Sequence, residues 1–180
     1  MFFIKNKITM QEIYVENILE VLRNKKLLEK ELNVEISNKG KFFFVNGNAE
    51  NEYLALEILD AVSIGFSVDK ALLLKEENMM FQNINIKDLT KRHDLDIVRG
   101  RIIGSDGRTL KTLKILTKCE LALNNNEIGI IGNANEVQDA VQAVSSLVRG
   151  SKQGNVYSRL ERKRKEKRLK NRNLDFGVKE

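Results

Sequence analysis

The sequence predicts an α+β protein in which two units of the order β-α-α-β-β-α are followed by a basic helix. Residues 33–49 and 118–134 share one plan, at an offset of 85 residues: a short strand, a tight turn, a second strand and a helix start. Both copies close on Gly-Asn-Ala, which indicates an internal duplication. The charge distribution indicates a third part of the chain. Residues 159–172 hold nine Lys or Arg and two Glu, whereas residues 1–158 are neutral overall.

The first unit, taken as residues 1–75, is predicted from apolar periodicity. Leu54, Ile58 and Val62 recur at helical spacing after a strand that ends at Gly47. We expect a strand at 1–8, helices at 11–22 and 25–32, strands at 33–37 and 42–46, a helix at 49–64, and a connecting helix at 67–74.

The second unit, taken as residues 76–150, repeats that order. Asn133 and Glu136 have the spacing of a capping box at the start of its last helix. We expect a strand at 81–86, a helix at 89–98, a glycine loop at 104–107, a helix at 108–118, strands at 118–122 and 127–132, and a helix from 134 to about 148. Residues 151–180 form the basic arm.

Composition excludes several classes of protein. A single cysteine, Cys119, rules out an intramolecular disulfide and a Cys-based zinc site. A single histidine, His93, argues against Ser-His or multi-His chemistry, whereas carboxylate chemistry stays open. The most apolar stretch, residues 54–66, is interrupted by Glu57 and Asp60, so no membrane span is expected. We therefore expect a cytoplasmic protein. The sequence shows no acid cluster, P-loop or nucleophile–base pair, so we also expect no enzyme activity, catalytic residue, metal or cofactor.

The basic arm predicts binding to a polyanion, most often nucleic acid. The alternative is a solvated helix with Glu and Lys at i,i+4 spacing. Tyr157 either stacks on a base or anchors the arm, and the pattern does not separate these roles. The arm residues expected to contact RNA are Tyr157, Arg159, Arg162, Lys163 and Arg164.

The loop Gly104-Ser105-Asp106-Gly107 is the most specific feature. Glycines allow positive φ and close approach to a ligand, and the free N–H groups of the following helix face any anion there. The alternative is a plain turn between two helices. For a nucleic-acid site we expect an apolar groove from Ile102, Ile103 and Leu121, and phosphate contacts from Arg101, Arg108, Lys111 and Lys114.

Residues 102–109, Ile-Ile-Gly-Ser-Asp-Gly-Arg-Thr, resemble the core of the K-homology (KH) domain, whose GxxG loop clamps single-stranded nucleic acid. Together with residues 65–72, 100–104 and 147–164, they resemble the tandem-KH small-subunit ribosome assembly factors of archaea and eukaryotes. That resemblance covers nearly the whole chain. It implies binding near the 3′ end of small-subunit rRNA, and a PIN-domain endonuclease as partner.

The chain also departs from that pattern. At the 85-residue offset the first unit has Leu19-Glu-Val-Leu22 in place of GxxG, which predicts a degenerate KH-like unit. Asp106 stands where KH loops commonly carry Lys or Arg; it would cap the next helix and weaken phosphate binding. The expected function is non-enzymatic RNA binding during ribosome assembly. The alternatives are a protein-docking scaffold in which only the arm contacts RNA, and an RNA-cleaving enzyme.

Overall fold

The computed structural model describes residues 11–176, without the side chains of Asn171 and residues 173–176. The α+β class is confirmed. The chain divides into two compact units, and the division falls between Glu77 and Asn78. The strand predicted at 1–8 lies outside the described residues.

The first unit has a three-stranded antiparallel sheet in which the third strand of the chain lies between the first and the second, with helices packed against it. The prediction of two helices, at 11–22 and 25–32, is wrong. Residues 11–14 form the first described strand, and a single helix connects this strand to the next one. The elements are β1 (Gln11–Tyr14), α1 (Ile18–Leu32), β2 (Glu35–Lys39), β3 (Phe42–Asn46), α2 (Ala49–Ile64) and α3 (Val68–Ala71), which a 3₁₀ turn (Leu72–Lys75) continues.

Helix α1 is continuous because nothing in residues 18–32 interrupts it. Val21, Leu28 and Leu32 recur along one face and are buried, and the polar residues between them are good helix formers. The helix ends at Asn33, whose φ of 51° is left-handed and whose N–H bonds the carbonyl of Glu29. The polar stretch after Leu22 is therefore part of the helix and does not form a break between two helices.

The second unit contains another antiparallel sheet, in the order β4-β6-β5. The helix predicted at 89–98 is corrected to two helices, since Asp94 accepts a hydrogen bond from the Ile97 N–H and starts a new helix at Leu95. The elements are β4 (Met79–Asn85), α4 (Ile86–Leu89), α5 (Leu95–Ile103), α6 (Arg108–Thr117), β5 (Glu120–Asn124), β6 (Glu127–Asn133), α7 (Ala134–Val148) and α8 (Gln153–Phe176).

Strand register shows how the two units differ. Gln11 pairs with Val45 in the first sheet, and Gln82 pairs with Ile130 in the second. Val45 and Ile130 are 85 residues apart, whereas Gln11 and Gln82 are 71 apart. The first unit is therefore 14 residues shorter between its first and second strands. In the second unit that stretch holds the three helices α4, α5 and α6 and the glycine loop.

Helix α8 begins as part of the second unit. Val156 and Leu160 are 2% and 3% exposed and belong to the core of that unit, where α8 packs on α6 and α7. The second unit therefore extends past residue 150, and the basic residues follow on a helix whose first turns are fixed.

Candidate nucleic-acid interface

The glycine loop joins α5 to α6 through three left-handed residues. Gly104 has φ 72° and ψ 173°, Asp106 has φ 53° and ψ 28°, and Gly107 has φ 72° and ψ 14°. The Gly104 N–H donates to the Gly100 carbonyl at 2.8 Å, and the Gly107 N–H donates to the Gly104 carbonyl at 3.2 Å. The predicted tight loop is therefore present, and α6 starts at its end.

The two glycines serve different purposes. A Cβ atom at Gly104 would lie 2.1 Å from Thr109 Oγ1 and 2.8 Å from the Thr109 backbone nitrogen, so only glycine fits there. A Cβ at Gly107 would meet no atom within 4 Å. Gly104 lets the loop close onto the first turn of α6, and Gly107 leaves an open approach to it.

Asp106 does not cap α6, contrary to expectation. The N-cap position is Gly107, and no side chain accepts from the first turn of the helix. Asp106 Oδ2 instead lies 3.3 Å from Arg108 Nη2, with both side chains about four-fifths exposed. The carboxylate therefore offsets the charge of Arg108. The Arg108 N–H donates to the Ser105 carbonyl, and the next N–H groups of the first turn of α6 have no side-chain partner.

A side chain from α8 holds the base of the loop. Gln153 Nε2 donates to Thr109 Oγ1 at 2.8 Å and to the Arg101 carbonyl at 3.2 Å. It thus joins the end of α5 to the start of α6 on either side of the loop. Sequence reasoning missed this residue, because a lone glutamine at a helix start carries no periodic or charge signal.

The predicted apolar groove is corrected at two positions. Ile102 is fully buried and Leu121 is 2% exposed, and both belong to the core of the second unit. Ile103 is 37% exposed and lies beside the loop. Core packing holds Ile102 and Leu121 away from any ligand, so Ile103 is the accessible apolar residue of the predicted three.

The residues predicted to contact phosphate near the loop differ in their exposure and in whether a carboxylate pairs with them. Lys114 Nζ lies 3.3 Å from Glu120 Oε2 on β5, so this lysine is paired with a carboxylate. Arg108 faces Asp106, as described above. Lys111 and Ser105 are exposed, and Arg101 is half-buried beside the loop. Ser105 in the loop and Lys111, one turn after Gly107 on α6, are thus exposed and close to the open glycine along the chain, whereas Arg101 Nη1 lies beside Gly150, 3.0 Å from the position of an added Cβ.

The arm residues are partly engaged by the second unit itself. Tyr157 packs against the core of the unit, which favours anchoring over base stacking. Arg159 Nη2 donates to Ser146 Oγ at 3.3 Å. Lys163 Nζ and Lys167 Nζ lie 2.6 and 3.0 Å from the two oxygens of Asp139 on α7. Arg162 is exposed, and Arg164 is half-buried against α6 and α7.

Asp139 is the anionic centre of this contact. Burial alone would raise the pKa of its carboxyl group, but hydrogen bonds and charge from Lys163 and Lys167 outweigh burial and hold that pKa below its ordinary value. Lys163 and Lys167 are thus paired with a carboxylate of the same chain. The arm therefore offers a ligand fewer unpaired positive charges than its number of Lys and Arg residues.

The other candidate groups have no reactive environment. Cys119 is 3% exposed, and burial raises the pKa of its thiol to about 11. The described residues contain no group of three or more His, Cys, Asp or Glu that could hold a metal ion. Among residues 11–176 no helix combines the length and apolar character needed to cross a membrane.

A β-α-α-β-β-α unit with a Gly-x-x-Gly loop between two helices is the K-homology arrangement. Residues 80–165 match the second KH domain of PNO1, described as a eukaryotic type KH-domain (KH-domain type I). The chain is 30% identical to crystalline Dim2p of Pyrococcus horikoshii, covering 84% of this chain and 99% of that one at a TM-score of 0.77. The chain belongs to this PNO1 (Dim2) family of KH-domain proteins.

Two further relatives are informative. Dim2p in the solved a/eIF2alpha-aDim2p-rRNA complex of P. horikoshii is 28% identical, covering 89% of this chain and 97% of that one at a TM-score of 0.80. A KH domain-containing protein of Methanocaldococcus jannaschii is 31% identical over 147 residues, covering 78% of this chain and 65% of that protein. The chain spans less of the eukaryotic relatives, for example 46% of RNA-binding protein pno1 of Dictyostelium discoideum.

Proposed function

We propose that this protein binds single-stranded RNA near the 3′ end of the small-subunit rRNA during ribosome assembly, and that it does so without catalysis. The observation that carries the proposal is the Gly104–Gly107 loop, whose open end lies at the uncapped start of α6. A relative was crystallised in a complex that contains rRNA, which supports RNA as the ligand.

In this proposal, different parts of the site contact the phosphate, the base and the rest of the RNA backbone. A phosphate would sit at the N–H groups of the first turn of α6, where Gly107 allows the RNA backbone to approach closely. Arg101 and Lys111 would add charge, and a base would lie on Ile103. The exposed cations of α8, such as Arg162, would add affinity that depends on salt. A cytoplasmic location stays a prediction from composition, and a PIN-domain endonuclease partner stays a prediction from resemblance.

The experiment compares two glycine variants of the full chain. Gly107→Asp places a negative charge at the open end of the loop, and we expect RNA affinity to fall at least tenfold with an unchanged circular-dichroism spectrum. Gly40→Asp is the matched control, because Gly40 has φ +63° and equally open surroundings in the β2–β3 turn of the first unit. Affinity would be measured on single-stranded oligonucleotides that tile the 3′ region of the rRNA.

Equal affinities of the two variants would refute the role of the loop. They would support the second candidate function, a protein-docking scaffold in which only α8 contacts RNA. The Asp106–Arg108 ion pair favours this alternative, because it places a carboxylate beside the loop. In that case, neutralising Arg162 and Lys170 on α8 would weaken binding to every oligonucleotide alike.

A further inference from the structure

A cleft of about 160 Å³ lies in the second unit between the end of α6, the first turns of α7 and the middle of α8. Helix α6 has ten residues, so the cleft lies roughly 15 Å from the glycine loop along that helix. Its lining combines apolar side chains with six charged ones: Lys118, Glu136, Asp139, Arg164, Lys167 and Arg168. The cleft is therefore separate from the loop and combines apolar surface with several charged groups.

The charges of the cleft sum to +2, and the two carboxylates already have partners. Glu136 Oε1 lies 3.9 Å from Lys118 Nζ, and Asp139 binds Lys163 and Lys167. The remaining positive charge belongs to Arg164 and Arg168, one turn apart on α8. An anion entering the cleft would thus meet two guanidinium groups.

Arg164 has an unmet hydrogen bond. Its Nε atom has less than 1 Å² of accessible surface and no hydrogen-bond partner. A buried donor without an acceptor is destabilising, and the planar guanidinium matches the oxygens of a phosphate. The cleft also has room for a phosphate group, since its volume of about 160 Å³ is several times the roughly 30 Å³ that one water molecule takes. Because Arg164 Nε has almost no accessible surface, a phosphate oxygen would reach it only when the side chain turns toward the cleft, and this contact would satisfy the buried donor.

We propose that this cleft is a second RNA-contact site, which binds a backbone phosphate of the same RNA strand. This inference rests on the proposed function and deepens it, because the RNA would follow α6 from the loop to the cleft. Arg164 and Arg168 hold the phosphate, and Asp139 fixes α8 against α7 through Lys163 and Lys167.

The test uses the full chain and the ¹H–¹⁵N side-chain signal of Arg164 Nε. Single-stranded RNA from the 3′ region should shift this signal together with the backbone amides of residues 104–108, and inorganic phosphate should shift it at higher concentration. Arg168→Gln should weaken RNA binding severalfold and reduce the salt slope, log affinity against log salt, by about 0.7. The control is Lys165→Gln, which removes an equal charge from an exposed position of α8 outside the cleft lining and should change affinity less.

The outcomes separate the two proposals. RNA that shifts the loop amides but leaves the Arg164 signal unchanged overturns the cleft and retains the loop. A shift at Arg164 without one at the loop retains the cleft and refutes the loop as the RNA site. A response to inorganic phosphate alone, or equal effects of Arg168→Gln and Lys165→Gln, overturns the assignment of an RNA phosphate.

Discussion

Replacing Gly104 by alanine should destabilise the second unit far more than the same change at Gly107. Both glycines have φ +72°, but Gly107 (ψ 14°) is in the left-handed helical region, where alanine costs about 1–2 kcal/mol, whereas Gly104 (ψ 173°) is in a region that is essentially restricted to glycine, where the cost is at least as large. They differ in surroundings, because only a Cβ at position 104 meets the first turn of α6. The pair therefore compares a position that needs glycine for both its backbone conformation and its packing with one that needs it for backbone conformation alone.

The magnitude follows from the contacts of the added methyl group. At Gly104 the Cβ would lie 2.1 Å from Thr109 Oγ1 and 2.8 Å from Thr109 N, both closer than real Cβ contacts. The hydroxyl is held by Gln153, and the nitrogen belongs to the helix backbone, so neither moves freely. Such overpacking costs roughly 1–3 kcal/mol. We expect Gly104→Ala to cost about 2–5 kcal/mol and Gly107→Ala about 1–2 kcal/mol.

Urea denaturation followed by circular dichroism measures this difference. The Gly104→Ala variant should unfold at a clearly lower urea concentration than the Gly107→Ala variant. Adding Thr109→Ala to the Gly104→Ala variant should recover only part of the loss, because the contact with the backbone nitrogen remains. Indistinguishable midpoints for the two single variants would refute the claim that Gly104 is needed for packing.

Three further predictions concern the surroundings of the loop and the arm. Gln153→Ala removes two hydrogen bonds, which should lower the local stability of the loop by about 1–1.5 kcal/mol. The hydrogen exchange of the Gly104 amide should therefore become about tenfold faster. An unchanged exchange rate would contradict the role of Gln153 in holding the base of the loop. The depressed pKa of Asp139 stabilises the native state at pH values above the ordinary Asp pKa of 3.8, and this contribution is lost as the pH falls below it. The free energy of unfolding of the wild type should therefore exceed that of Asp139→Asn by less in acid than at neutral pH. A difference that does not change with pH would contradict this stabilising role of the Asp139 carboxylate. Cys119 should resist iodoacetamide at pH 8 until urea unfolds the chain, and rapid alkylation of the native protein would contradict its burial.

The second unit could be predicted from the sequence in most of its elements. Its apolar residues recur at regular spacing, and its glycine loop is a local signal that does not depend on distant packing. The first unit was predicted less well, because a constant 85-residue offset cannot reveal a 14-residue difference inside one connection. The strand register reveals it at once, since register depends on pairing across the sheet.

The finer features of the site depend on tertiary contacts that sequence patterns do not contain. Ile102 and Leu121 are apolar residues near the loop, and only packing shows that they face the core. Val156 and Leu160 are two apolar residues at the edge of a basic segment, and their burial turns the start of the arm into part of the second unit. The pairing of Lys163 with Asp139 could not be inferred from either residue alone.

The length difference also explains why only one unit carries the proposed RNA site. A loop that presents uncapped helix N–H groups needs a helix before it and a helix after it, and the first unit has residues for one helix only. Glycines at Leu19 and Leu22 would not create such a loop, because Val21 between them is fully buried on the continuous helix α1. Converting the first unit into a phosphate-binding unit would require insertion of a helical segment. The two units therefore differ in backbone architecture, and point substitutions alone could not make them equivalent.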